Sequence, residues 1–217
     1  MNIRKSIIVN ITSTIIAFFI ASANAASQAS LNFHGEILPG SCNMIIDNGG
    51  MLRLGKQNIQ QSPSGKSSIR LQERNIVINI TCPAATLFAI RPIDITINAG
   101  NIRYDGVEEN RIFSLGQSAS GKAIGGYYAR VDKSRSLIDG RQPDDILLSK
   151  DKGHAWQLSQ GYLTANGENL YSWGKQLQPL RARSVKVSLL ISPFLFKNSY
   201  SEAIKIEGVT SFELIYL

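Results

Sequence analysis

The residues able to do chemistry in this chain are few, and their spacing works against it. Gly65-Lys66-Ser67 ends like a phosphate-binding loop. The position five before Gly65 is Gln60 rather than glycine, however, and no strand pattern leads in and no helical pattern leads out, so the tripeptide reads as a turn. Asp144 and Asp145 are neighbours in sequence. Successive side chains of a strand point to opposite faces, so the two make no proton-sharing carboxylate pair and read as a solvated loop. No Gly-x-Ser-x-Gly elbow is present. The two histidines, His34 and His154, lie at no ligand spacing from a cysteine, which argues against a metal site. Trp156, Tyr162, Tyr171 and Trp173 suit a sugar-binding face, although aromatics scattered through a β domain more often serve core and cross-strand packing. Asn79-Ile80-Thr81 fits a glycosylation sequon, a match that means little if the source is bacterial. The expectation is a non-enzymatic protein with no catalytic, cofactor-binding or metal-ligating residues.

What remains is a pair of cysteines, Cys42 and Cys82, whose chemistry depends on compartment. The N-terminus decides the compartment. Arg4 and Lys5 precede an apolar run, Ile7 to Ile20, which is followed by the small-residue site Ala23-Asn24-Ala25, the pattern of a secretory signal peptide over residues 1–25. Asn10, Thr12, Ser13 and Thr14 make that run too polar and too short for a membrane span of about 20 residues. Export places both cysteines in an oxidising destination, where a disulfide is the default. Cleavage takes away two cations and lowers the formal charge from +7 to +5. The positive balance is spread along the chain, and its tightest pair beyond the leader is Arg181 and Arg183, so a nucleic-acid partner is not expected.

The elements that would position these residues are strands. Period-two runs cover Leu31 to Leu38, Asn75 to Thr81, Ile93 to Asn98, Ile124 to Val131 and Val185 to Ile191. Between them stand turn markers such as Pro39-Gly40, Asn48-Gly49-Gly50, Asp139-Gly140 and Asn166-Gly167. Short strands with frequent turns predict an all-β antiparallel sandwich of one domain. The stretch from about Asp132 to Gln178 is more polar and less regular, and reads as a long excursion or a set of short strands on that same domain.

The end of the chain is the most telling element. From Lys205 to Leu217 the sequence alternates up to its last residues, with Ile206, Gly208, Thr210, Phe212, Leu214 and Tyr216 on one face and Lys205, Glu207, Ser211 and Glu213 on the other. Chain ends are ordinarily polar and loosely held, so an apolar terminal strand either closes its own sheet or pairs with something added later.

These pieces in this order resemble a chaperone/usher fimbrial subunit: the leader, Leu31-Asn-Phe-His-Gly-Glu-Ile37, Pro39-Gly-Ser-Cys42, Leu52-Arg-Leu-Gly55, Ile76-Val-Ile-Asn-Ile-Thr-Cys82 and Tyr216 next to last. Cys82-Pro-Ala-Ala-Thr-Leu-Phe-Ala89, Phe113-Ser-Leu-Gly116 and Ala123-Ile-Gly-Gly-Tyr-Tyr128 are similar to a subfamily of fimbrial-like proteins of the beta-fimbriae type. The resemblance implies an immunoglobulin-like, pilin-type β-sandwich over residues 36–217 that lacks its final strand, and an N-terminal extension over residues 26–35. It also implies the partners: a periplasmic chaperone, an outer-membrane usher and other fimbrial subunits. Leu31 and Phe33 would be donor side chains, and Gly208, Phe212, Leu214 and Tyr216 would form the acceptor groove and chaperone contact. The family commonly has a glycine fourteen residues from the end, where this chain has Ile204, and Gly208 is the nearest substitute. The function so implied is a structural subunit of a surface fimbria, reached through the periplasm. The alternative is an adhesin-like tip or carbohydrate-binding module of the same system.

Overall fold

The computed structural model describes residues 40–56, 67–96, 102–197 and 205–217. The chain divides into Met1–Leu38 and Pro39–Leu217, and every described residue belongs to the second unit. Its strands are β1 (Asn43–Ile46), β2 (Ser68–Arg70), β3 (Arg74–Thr86), β4 (Phe88–Asp94), β5 (Phe113–Ser114), β6 (Gly125–Val131) and β7 (Leu137–Ile138). They continue with β8 (Asp145–Ser149), β9 (Gln157–Leu158), β10 (Leu170–Lys175), β11 (Gln178–Pro179), β12 (Ala182–Phe196) and β13 (Thr210–Tyr216). Helical pieces among the described residues are 3-10 turns of three or four residues.

The strands form two antiparallel sheets stacked as a sandwich. One has the order β1-β3-β12-β6-β5, with β2 and β7 also paired to β12, and the other has the order β13-β4-β10-β8-β9, with β11 on β10. Alternation explains the first sheet. Ile78 and Ile80 of β3 and Val185, Val187, Leu189 and Ile191 of β12 are buried between the layers. Asn75 and Ser188 face outward and hydrogen-bond to each other at 2.8 Å. Ile78, Ile90, Phe113, Leu163, Tyr171, Val187 and Leu189 are wholly buried in one core, each stabilising the fold by roughly 1.5–3 kcal/mol on transfer from water.

The second sheet departs from simple alternation because its central strands are covered on both faces. Five consecutive residues of β10, Leu170 to Gly174, are buried, so the sequence there carries no period of two. The irregular stretch from Asp132 to Gln178 is the second of its two expected forms, a set of short strands: it supplies β7 to the first sheet and β8, β9 and β10, half the strands of the second. For the same reason β4 begins at Phe88 rather than at the expected Ile93, since Phe88, Ala89, Ile90 and Pro92 are buried with only Arg91 interrupting. It ends at Asp94, whose carboxylate turns aside to accept the backbone N–H groups of Thr96 at 2.9 Å and Ser114 at 2.6 Å. Ile95, just beyond the strand's end, is 52% exposed. The expected strand at Leu31 to Leu38 lies outside the described residues.

Candidate functional site

The terminal strand forms as its alternation requires, and it occupies an edge. β13 runs antiparallel to β4 from Thr210 opposite Asp94 to Tyr216 opposite Phe88, and among the described residues nothing pairs with its other side. Among the described residues the first sheet is likewise open beyond β1, which pairs there with β3. Between the layers lies a cleft of about 750 Å³. The first sheet contributes Ile76, Ile78, Tyr127, Ala129 and Ile191; Phe212, Thr210 and Ile206 form one side, and Ile46 with residues 50–55 another. Most of this lining is aliphatic or aromatic, so it offers little to a polar substrate and much to apolar side chains.

Of the four predicted acceptor residues, two line this cleft and two lie beyond its lining. Gly208 and Phe212 line it. Phe212 and Leu214 are half-buried and pack onto the core from the same face of β13. Tyr216 continues that face but is 50% exposed, and its hydroxyl accepts the backbone N–H of Cys42 at 2.7 Å, tying the end of β13 to the start of β1. Gly208 is required by close approach: a Cβ there would stand 2.3 Å from the carbonyl oxygen of Ser114. Beside it, Glu207 donates its N–H to Leu115 O at 3.2 Å, while Val209 O accepts the N–H of Ile95 at 3.0 Å, so this short stretch stitches one sheet to the other. Leu31 and Phe33, the predicted donors, lie outside the described residues, as do the leader and the N-terminal extension.

Cys42 and Cys82 are joined in a disulfide across 40 residues, which pins β1 to β3 at one end of the cleft. At the other end the hydroxyls of Tyr127 and Thr210 are hydrogen-bonded within the lining. Burial pushes the Tyr127 phenol well above its ordinary range, offset in part by that hydrogen bond. The opposite face of β13 is polar: Glu213 accepts from the guanidinium of Arg91, as the alternation predicts for an outward residue.

Elsewhere the chemistry-bearing residues serve structure. Asp144 pairs with Lys175 at 3.5 Å while Asp145 opens β8, so the two are not a dyad. The Asp151 carboxylate is held below its usual range by the Ala155 N–H and the Ser149 hydroxyl, which brace one loop. Tyr171 and Trp173 are core residues, and Trp156 donates its indole N–H to Gly153 O at 3.1 Å in that same loop. Tyr162 alone of the four predicted aromatics stands at the surface of the first sheet. Asn79 of the sequon donates its side-chain amide to Asp47 at 3.0 Å. Sequence reading missed the cleft's other walls, residues 50–53 and Tyr127, because neither proximity nor an open edge leaves a periodic trace.

Comparison with known proteins places this architecture. Residues 31–105, which span both cysteines, match a family model described as "Protein of unknown function (DUF1120)". Over 93% of its length the chain is 26% identical to the uncharacterized protein YhcF of Escherichia coli K12, covering 95% of that protein. It is 30% identical to the protein GltF of the same organism, with 93% of each chain covered. The chain is therefore a member of the family to which Escherichia coli GltF belongs.

Proposed function

We propose that this protein is a structural subunit of a bacterial surface fimbria, built by donor-strand exchange through the chaperone/usher pathway. One observation carries the reading: an apolar cleft of about 750 Å³ runs beside a terminal strand whose outer edge has no partner among the described residues. An edge with unpaired N–H and C=O groups above an apolar floor is an aggregation hazard unless a strand is added to it. An added strand would satisfy the edge by main-chain hydrogen bonds and fill the floor with alternate side chains. On this reading the sandwich is a pilin-type, immunoglobulin-like domain lacking its last strand. A periplasmic chaperone supplies that strand first, and at the outer-membrane usher the N-terminal segment of the next subunit replaces it, with Leu31 and Phe33 entering the cleft. The leader and the disulfide fit this route, which ends at the cell surface.

Co-expression of the full chain with a two-domain periplasmic chaperone, followed by pull-down and unheated gel electrophoresis, tests the proposal. A one-to-one complex and SDS-resistant, heat-dissociable ladders are expected. Deleting Ala26 to Phe33 should leave the chaperone complex and abolish the ladders. Ladders that survive the deletion, or a chain that the chaperone does not bind, would refute it.

A further inference from the structure

The outer face of the first sheet carries a cluster of arginines and tyrosines that neither the core nor the cleft uses. Along β6, Tyr127 and Ala129 point to the interior, so Tyr128 and Arg130 point outward. Residues 161–163 lie against β6: Val131 donates its N–H to Gly161 O and Leu163 donates to Ala129 O, each at 2.9 Å. Tyr162 is thereby fixed directly opposite Arg130, half-exposed, while Gly161 and Leu163 are buried.

Two guanidiniums share the Tyr162 ring. Arg111 stands 5.3 Å from its centroid and Arg130 stands 5.8 Å from it. The Tyr128 ring is 6.3 Å away at an angle of 49°, and the Arg70 guanidinium is hydrogen-bonded to Tyr104. One cation on a tyrosine face is ordinary surface packing, but a second on the same ring adds like-charge repulsion that the ring alone does not offset. Carboxylates only partly relieve it. Glu108 pairs with Arg111 at 3.0 Å, and Glu73 accepts the Ser192 hydroxyl at 2.6 Å. Among the described residues no carboxylate comes within 4.0 Å of Arg70 or Arg130.

We propose that Arg70, Tyr128, Arg130 and Tyr162 form a binding surface for a carboxylate-bearing polysaccharide. Guanidinium forks match carboxylates in a bidentate way, and tyrosine faces and hydroxyls suit the C–H faces and hydroxyls of pyranose rings. The surface is the outside of a sheet rather than a pocket, which fits a chain of acidic sugars better than an enclosed small ligand. Two guanidiniums without ion pairs among the described residues are too few for a phosphate polymer, which is held by many cations at once. The inference does not depend on strand exchange, because this face points away from the cleft.

The test uses the mature full-length protein, with polygalacturonate immobilised as the probe and neutral dextran beside it, in surface plasmon resonance at physiological ionic strength. Binding to polygalacturonate and not to dextran is expected. Arg130→Gln and Tyr162→Ala should each weaken it by about tenfold, the scale of losing one charge-assisted contact. Tyr162→Phe, which keeps the ring, should bind nearly as the parent does. Arg181→Gln removes the same charge at an exposed site elsewhere and should change nothing. Equal losses from Arg130→Gln and Arg181→Gln would mean diffuse charge and overturn the proposal. So would equal binding to dextran, or tighter binding to phosphatidylglycerol vesicles or duplex DNA than to polygalacturonate. An intact disulfide and an unchanged far-ultraviolet spectrum in each variant separate lost binding from lost fold.

Discussion

Phe212→Ala should weaken strand capture as well as the unoccupied domain. Phe212 is half-buried: one side rests on the core, and the other lines the cleft. Burying a whole phenylalanine side chain contributes roughly 1.5–3 kcal/mol, with a further cavity term when it is truncated. An incoming strand would cover the half still exposed, so about 0.8–1.5 kcal/mol of the loss falls on binding, or roughly a four- to thirteenfold rise in Kd. The assay titrates a chain beginning at Pro39, which leaves the compact unit intact, with a synthetic peptide of residues 27–37, read by calorimetry. Glu213→Ala is the control on the same strand. It faces the other way and pairs with Arg91, with side-chain exposures of 40% and 37%, so its removal should cost the domain well under about 1 kcal/mol and leave peptide binding unchanged. Equal affinity of the parent and Phe212→Ala would show that no strand covers this face, and the strand-addition argument would fail with it.

Replacing Cys42 and Cys82 together by serine should destabilise the domain by about 4 kcal/mol on the chain-entropy estimate for a loop of this size, seen as a lower denaturant midpoint; an unchanged midpoint would refute the loop argument. Gly208→Ala must displace the Ser114 carbonyl that stands 2.3 Å from the new methyl, which should cost about 1–3 kcal/mol and lower Tm by about 2–4 °C for each of them. A parent-like melting curve would mean that the stitch between the sheets yields freely. Because Tyr127 has its folded pKa raised chiefly by burial, its contribution is fully present below the unfolded phenol value of about 10 and is lost as pH rises beyond it. Stability should therefore decline on the alkaline side, and less steeply in Tyr127→Phe, although Tyr171, also raised by burial, keeps part of the slope. Parallel slopes in parent and variant, measured by urea unfolding between neutral pH and pH 11, would contradict the assignment.

What the sequence determined by itself lay in local pattern and in composition. Alternation at Ile76, Ile78 and Ile80 and at Val185, Val187, Leu189 and Ile191 specified strands buried on one face, and β3 and β12 are those strands. The outward Glu213 and inward Phe212 and Leu214 were legible in the same way, because a period of two allows only one assignment once a face is buried. A lone cysteine pair behind a leader-like N-terminal pattern predicted the disulfide. Tertiary structure decided the rest. Strands buried on both faces, such as β4 and β10, lose their alternation, and the turn at Gln176 and Leu177 adopts positive φ without the glycine or asparagine that would announce it. The cleft was illegible because its walls come from β1, β6, β12, β13 and residues 50–55, brought together only by the stacking of two sheets. Likewise Tyr162 and Arg130 are partners only because residues 161–163 lie along β6, a pairing set by backbone hydrogen bonds that no spacing in the sequence encodes.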